Sequence, residues 1–193
     1  MSSRVLVSLR VAATPERAFA VFTRDIHLWW RHNDLFRFTP RSPGLLAFEP
    51  RQGGRFTETL ANGKVFEIGK ITAWEPAIRL AFTWRQSSFS EEQMTQVEIR
   101  FEPEGEETRI TVEHLGWDSV PQEHVARHGF PDGVFLRRHG KWWQALLASY
   151  RGRSADGGQR AKAKGLLCGQ TGLERVVFNI GEFALAPCQP RSR

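Results

Sequence analysis

Cysteine is nearly absent: the 193 residues hold two, Cys168 and Cys188, both close to the C-terminus. Residues 1–151 therefore have no disulfide framework, no thiol nucleophile and no cysteine-based metal site. No apolar run approaches the roughly 18 residues that a membrane-spanning helix requires, so membrane insertion is not expected. The opening segment, Met1 to Arg10, alternates apolar and polar residues where a secretory leader would have an apolar block. This reading predicts a cytoplasmic protein. Walker loop, dinucleotide fingerprint, nucleophile elbow and kinase signature are all missing, and no cofactor is expected. The histidines form no ligand set either. His124 and His128 stand four apart, but Pro121, Gly129 and Pro131 surround them and no third ligand is identifiable, so no metal is expected.

Charge is present but unevenly placed. The chain carries a net +6 with a pI near 10.0. Residues 152–193 hold seven Lys/Arg against three Asp/Glu, leaving 20 against 18 in residues 1–151. The first 151 residues are thus close to neutral, and nucleic-acid binding, which needs clustered cations, is not expected of them.

What is there reads as α+β. Arg4 to Val11 suits a first strand. Thr14-Pro15-Glu16-Arg17 opens a short helix, with Thr14 as cap and Pro15 at the first helical position. A second brief helix follows around Ile26 to Trp30. From Leu46 onward the period becomes two, through Leu46–Pro50, Gly54–Leu60, Val65–Trp74, Ile78–Trp84, Gln96–Phe101 and Arg109–His114. Asn62-Gly63 marks a hairpin, and the spacing predicts an antiparallel meander. Ile78, Leu80, Phe82 and Trp84 share one parity, as do Ile110, Val112 and His114. A helix from about Asp132 to Tyr150 ends the domain, with Phe135, His139, Trp142, Leu146 and Tyr150 on one stripe. A curved sheet wrapped around that terminal helix is the economical arrangement. Residues 1–151 form this domain, and 152–193 read as a basic tail. In that tail Arg153–Gly165 resembles a flexible linker, and Arg175–Ile180 with Phe183–Ala186 are too short for a core of their own.

Six segments carry a resemblance to a known family. They are Thr14-Pro-Glu-Arg-Ala-Phe19, Trp29-Trp30, Gly53-Gly-Arg-Phe56, Gly69-Lys-Ile-Thr-Ala-Trp-Glu-Pro76 running into Arg79–Trp84, Thr111–Trp117, and Gly140-Lys-Trp-Trp-Gln-Ala-Leu-Leu147. In this order, across roughly residues 4–151, the chain resembles the activator-of-Hsp90-ATPase-homologue group of the START and birch-pollen-allergen (helix-grip, SRPBCC) superfamily. The resemblance implies a helix-grip fold with a cavity between sheet and C-terminal helix. It also implies a spread of roles, from lipid carriers to polyketide cyclases and a co-chaperone, so a chaperone stands as an alternative partner.

His114 shares the buried parity, and reads either as a ligand partner or as a core histidine satisfied by its neighbours, the commoner situation. Glu58 shares parity with Phe56 and Leu60, and beside His114 it would serve general acid–base chemistry. Trp84 and Trp142, with Phe56, Phe82 and Leu146, would line the cavity, and Trp29 and Trp30 would close one end. Arg55 and Arg85 read as solvated, or as contacts for an acidic group at the mouth. The favoured function is non-catalytic binding of a small, mostly hydrophobic molecule. The alternatives are a cofactor-independent cyclase or dehydratase using His114 with Glu58, and a chaperone-binding domain.

Overall fold

The computed structural model describes residues 3–166. Strand β1 (Arg4–Val11) leads into helix α1 (Pro15–Arg24), which starts as its sequence dictates: the Arg17 amide donates to Thr14 Oγ1 at 3.4 Å. Helix α1 buries Ala18, Phe19, Val21 and Phe22, and the single turn α2 (Ile26–Trp29) buries Ile26 and Trp29. Six strands follow: β2 (Leu45–Phe48), β3 (Arg55–Thr59), β4 (Val65–Glu75), β5 (Arg79–Trp84), β6 (Thr95–Glu104) and β7 (Glu107–Leu115). Every neighbouring pair is antiparallel, in the order β1-β7-β6-β5-β4-β3-β2. The meander is therefore closed at one side by β1, where Val5 pairs with His114 and Val7 with Val112.

The sheet curls into a half barrel, and β4 shows how. Its register slips once against β3, at Phe56/Thr57, and once against β5, between Ile71 and Ala73. Each bulge adds local twist and bends the strand. Gly69 sits between them because nothing larger fits. A Cβ there would lie 1.6 Å from the carbonyl oxygen of Thr83.

Helix α3 spans Asp132–Leu166 and packs on β1, α1 and α2. Phe135, His139, Trp142, Leu146 and Tyr150 are all buried, as the stripe predicts. The helix runs beyond the expected end at Tyr150, through the segment 153–165 read as a linker. After Pro131 no proline interrupts residues 132–166, and the Ala, Lys, Arg and Gln content outweighs Gly157-Gly158. The pieces Arg175–Ile180 and Phe183–Ala186, and both cysteines, lie outside the described residues.

One residue departs from its expected face. Ile78 is 63% exposed, because Ala77 adopts a left-handed conformation (φ 66°) and β5 begins only at Arg79. Among the described residues, no helix is long and apolar enough to cross a membrane, and no three His, Cys, Asp or Glu side chains gather as metal ligands.

Candidate ligand site at a buried histidine pair

Alternation on β7 turns His114 inward, and the α3 stripe turns His139 toward it; both are completely buried. His139 Nε2 lies 2.9 Å from His114 Nδ1, and the Trp143 indole donates to the same nitrogen at 3.2 Å. On its other side, His114 Nε2 lies 2.8 Å from Thr95 Oγ1, whose hydroxyl donates to the Trp84 carbonyl at 2.9 Å. Three elements (β5, β6 and β7) thus fix one imidazole from the sheet, while α3 fixes it from above.

The rings around the pair are aromatic. Trp84, Trp117 and Trp143 pack on His114, and Phe36, Trp117, Phe135 and Trp142 pack on His139, with centroid separations of 4.7–6.1 Å. Burial in this apolar shell disfavours charge. It pushes the His114 pKa down to about 3, and burial together with His114 pushes His139 well below the usual histidine range. Both rings are neutral at physiological pH.

Four polar atoms of this shell have no hydrogen-bond partner: the indole nitrogens of Trp84, Trp117 and Trp142, and His139 Nδ1. Each such group normally costs about 1–3 kcal/mol when buried alone.

The other residues read from the sequence reach this centre only in part. Trp30 joins the helix side to the sheet side, packing on Trp142 and Trp143 at 5.6 and 5.8 Å and on Phe56 at 6.2 Å. Phe56 in turn meets Phe82 at 5.2 Å. Trp29 donates to the Val21 carbonyl and packs against Tyr150, and Leu146 is fully buried. Glu58 is buried but belongs to a separate network, accepting from the Gly44 amide at 2.9 Å and the Thr39 hydroxyl at 3.3 Å. It is not among the hydrogen-bond partners of His114. Arg55 pairs with Glu49, and Arg85 lies over the Phe66 ring. His124 caps the turn Val125–Arg127 and His128 contacts the Leu35 carbonyl.

Sequence reasoning did not single out Thr95, Trp117, Trp143 or His139 as members of a site. A histidine on an otherwise apolar helix stripe was the signal available for His139. Trp117 follows Gly116 in a 3-10 turn (Trp117–Ser119), where no strand period applies.

Among the described residues, two of the cavities lie beside the core, and neither is lined by His114 or His139. One of about 220 Å³ is lined by Phe38, Thr39, Gln86, Ala126 and His128, and the Phe38 ring separates it from Trp84 at 5.7 Å. The other, about 520 Å³, lies between α1–α2 and β2, against Phe19, Thr23, Leu46, Phe48 and Trp74.

Comparison with known proteins locates the chain. A search of the curated proteins finds no match. Solved structures do match. Protein MLL2253 from Mesorhizobium loti is 20% identical with a TM-score of 0.53, covering 77% of this chain and 94% of that one. PFC0360w, an HSP90 activator from Plasmodium falciparum, is 19% identical with a TM-score of 0.50, covering 76% and 91%. Txn09, an anthrahydroquino-gamma-pyrone synthase, is 30% identical with a TM-score of 0.47, covering 77% and 95%. The first two likenesses establish the helix-grip fold. Residues 12–149 match the profile described as Activator of Hsp90 ATPase homolog 1-like protein, and the chain belongs to that family.

Proposed function

We propose that the protein binds a small, mostly apolar molecule between the sheet and α3, without reacting with it. The observation that carries this reading is the set of partnerless polar atoms around His139, in a shell otherwise built of Trp84, Trp117, Trp142, Phe36 and Phe135. An apolar lining with a few convergent polar groups is the ordinary composition of a small-molecule site. The 220 Å³ cavity lies beside this interior, with the Phe38 ring between it and Trp84. The larger cavity under α1 is mostly apolar, with Thr23, Arg24 and His27 as its polar lining; the Thr23 hydroxyl is already bonded to the Phe19 carbonyl and Arg24 to Asp25.

A cyclase- or dehydratase-type reaction at His114 has less support. Both of its nitrogens are engaged by the protein, and Glu58 faces Thr39 and Gly44 instead. Family membership favours a second reading, an Hsp90-type chaperone as protein partner, which stimulation of a purified Hsp90 ATPase by this chain would establish.

Native mass spectrometry of the purified chain tests for a retained molecule. Binding of the dye ANS to folded Trp84→Ala and Trp74→Ala variants then assigns the cavity. Loss in the first variant alone is expected. Loss in the second alone would move the site beneath α1.

A further inference from the structure

Strand β2 is the last in the sheet, and its outer edge has no strand beside it. The register shows which main-chain groups that edge carries. Phe48 stands opposite Phe56, and the Glu49 amide donates to the Arg55 carbonyl at 2.8 Å. In an antiparallel pair, every second residue turns its N–H and C=O toward the partner strand. Glu49, Ala47 and Leu45 therefore face β3, and the Thr57 hydroxyl, donating to the Ala47 carbonyl at 3.4 Å, agrees. Leu46 and Phe48 turn theirs the other way. There α1 and α2 pack against β2, yet among the described residues no main-chain hydrogen bond from either helix reaches Leu46 or Phe48. The 520 Å³ cavity lies in this gap, and all four residues of β2 line it. Leu46 is only 2% exposed, so its amide and carbonyl stand as an open donor and acceptor on an otherwise apolar wall.

We infer that this cavity is a second binding site and takes a neutral ring amide, a lactam, whose N–H donates to the Leu46 carbonyl and whose C=O accepts from the Leu46 amide. The inference stands apart from the interior beneath α3, and its failure would leave that reading untouched. The two groups of Leu46 point the same way, so their partner must also present a donor and an acceptor on one side. An open-chain secondary amide is trans and points them apart, whereas a small ring holds them cis. A primary amide would bring a further N–H with no acceptor on an apolar wall. A flat ring also suits the lining, where Phe19, Trp74 and Phe48 supply aromatic surface and the first two meet edge to face at 5.2 Å. Among the polar side chains there, the Thr23 hydroxyl is bonded to the Phe19 carbonyl, and Arg24 to Asp25 through Nε and Nη2. Arg24 and His27 are exposed and would draw an anion instead, so an anion is one arm of the test.

Calorimetry on the full chain compares quinolin-2(1H)-one with its N-methyl derivative and with 2-naphthoate, an anion of similar size. Backbone ¹⁵N NMR is recorded on the same samples. The lactam should bind at least about tenfold more tightly than the N-methyl derivative, which has no proton for the Leu46 carbonyl and leaves it unpaired. With the lactam bound, the Leu46 amide proton should move downfield. An Ala20→Trp variant, which fills the cavity from α1, should lose lactam binding. Equal affinity for the lactam and its N-methyl derivative would overturn the amide pairing. Tightest binding of 2-naphthoate, with the His27 signals moving, would overturn it in favour of an anion. A lactam that binds with Leu46 unmoved lies elsewhere, and failure of all three probes to bind removes the site; either result sinks the inference. Should Ala20→Trp not fold, the Leu46 resonance of the wild-type protein decides alone.

Discussion

The hydroxyl of Tyr150 donates to the main-chain carbonyl of Ala18 at 2.8 Å, tying the last strongly buried turn of α3 to α1. Its ring packs on Phe22 and Trp29, and burial holds the phenol well above its ordinary pKa. Tyr150→Phe keeps those ring contacts and removes only the hydrogen bond. The expected loss is about 1 kcal/mol in urea denaturation. A loss near 4 kcal/mol would mean the ring itself had moved.

The same tie bears on where the fold ends. A chain cut after Arg151 keeps Tyr150 and, of residues 152–154, loses only Ser154 from the buried set. It should melt cooperatively within about 4 °C of the full-length protein. A larger drop would extend the domain beyond residue 151.

Gly69 is the position least able to accept a side chain, since an added Cβ would meet the Thr83 backbone. Gly69→Ala must push β4 off β5 and sever the bond from the Lys70 amide to Thr83 Oγ1 at 2.9 Å. Destabilisation of about 3 kcal/mol or more is expected. Gly63→Ala, in the β3–β4 turn at φ 78°, has open space around it and should cost only about 1 kcal/mol of backbone strain.

Much of this is legible in the amino-acid sequence. Asn62-Gly63 placed its hairpin because a two-residue signal fixes a local turn. Parity turned His114 and Glu58 inward for the same local reason, and both are fully buried. What alternation could not supply was which buried groups meet. Glu58 and His114 share the interior yet belong to different networks, because the loop bearing Thr39 and Gly44 reaches Glu58 first. The partnership of His114 with His139 and Trp143 joins β7 to α3 and follows from tertiary packing alone. Ile78 was misplaced for a smaller reason: the left-handed Ala77 delays the strand by one residue.

The histidine pair makes stability depend on pH in a definite direction. His114 has an unfolded pKa of about 6.5 and a folded value of about 3, so between these values the unfolded chain binds the extra proton. Its contribution is intact above about pH 6.5 and is lost as the pH falls toward 3. Between pH 7 and pH 5 this one residue should cost about 2 kcal/mol, and His139 adds to the loss in the same direction. Urea midpoints across that interval should therefore fall steeply, and less steeply in a folded His114→Gln variant. A flat profile would show that the two rings are not held neutral.

Trp142 and Trp143 are neighbours in sequence with opposite assignments for their indole nitrogens. Trp143 donates to His114, whereas the Trp142 nitrogen is buried without a partner. Benzothienylalanine has the shape of tryptophan with sulfur in place of the N–H, so it separates hydrogen bonding from packing. Introduced at 143, it should cost about 1 kcal/mol of stability and leave affinity for an apolar ligand unchanged. At 142 it removes an unsatisfied donor, so the free protein should be as stable as before, or more so by about 1 kcal/mol. If that N–H serves a ligand, affinity for the molecule retained by the purified chain should fall about tenfold at 142 alone. Calorimetry and thermal melts on the two proteins give the comparison. Equal effects at both positions would show that Trp142 is core and not part of a ligand site.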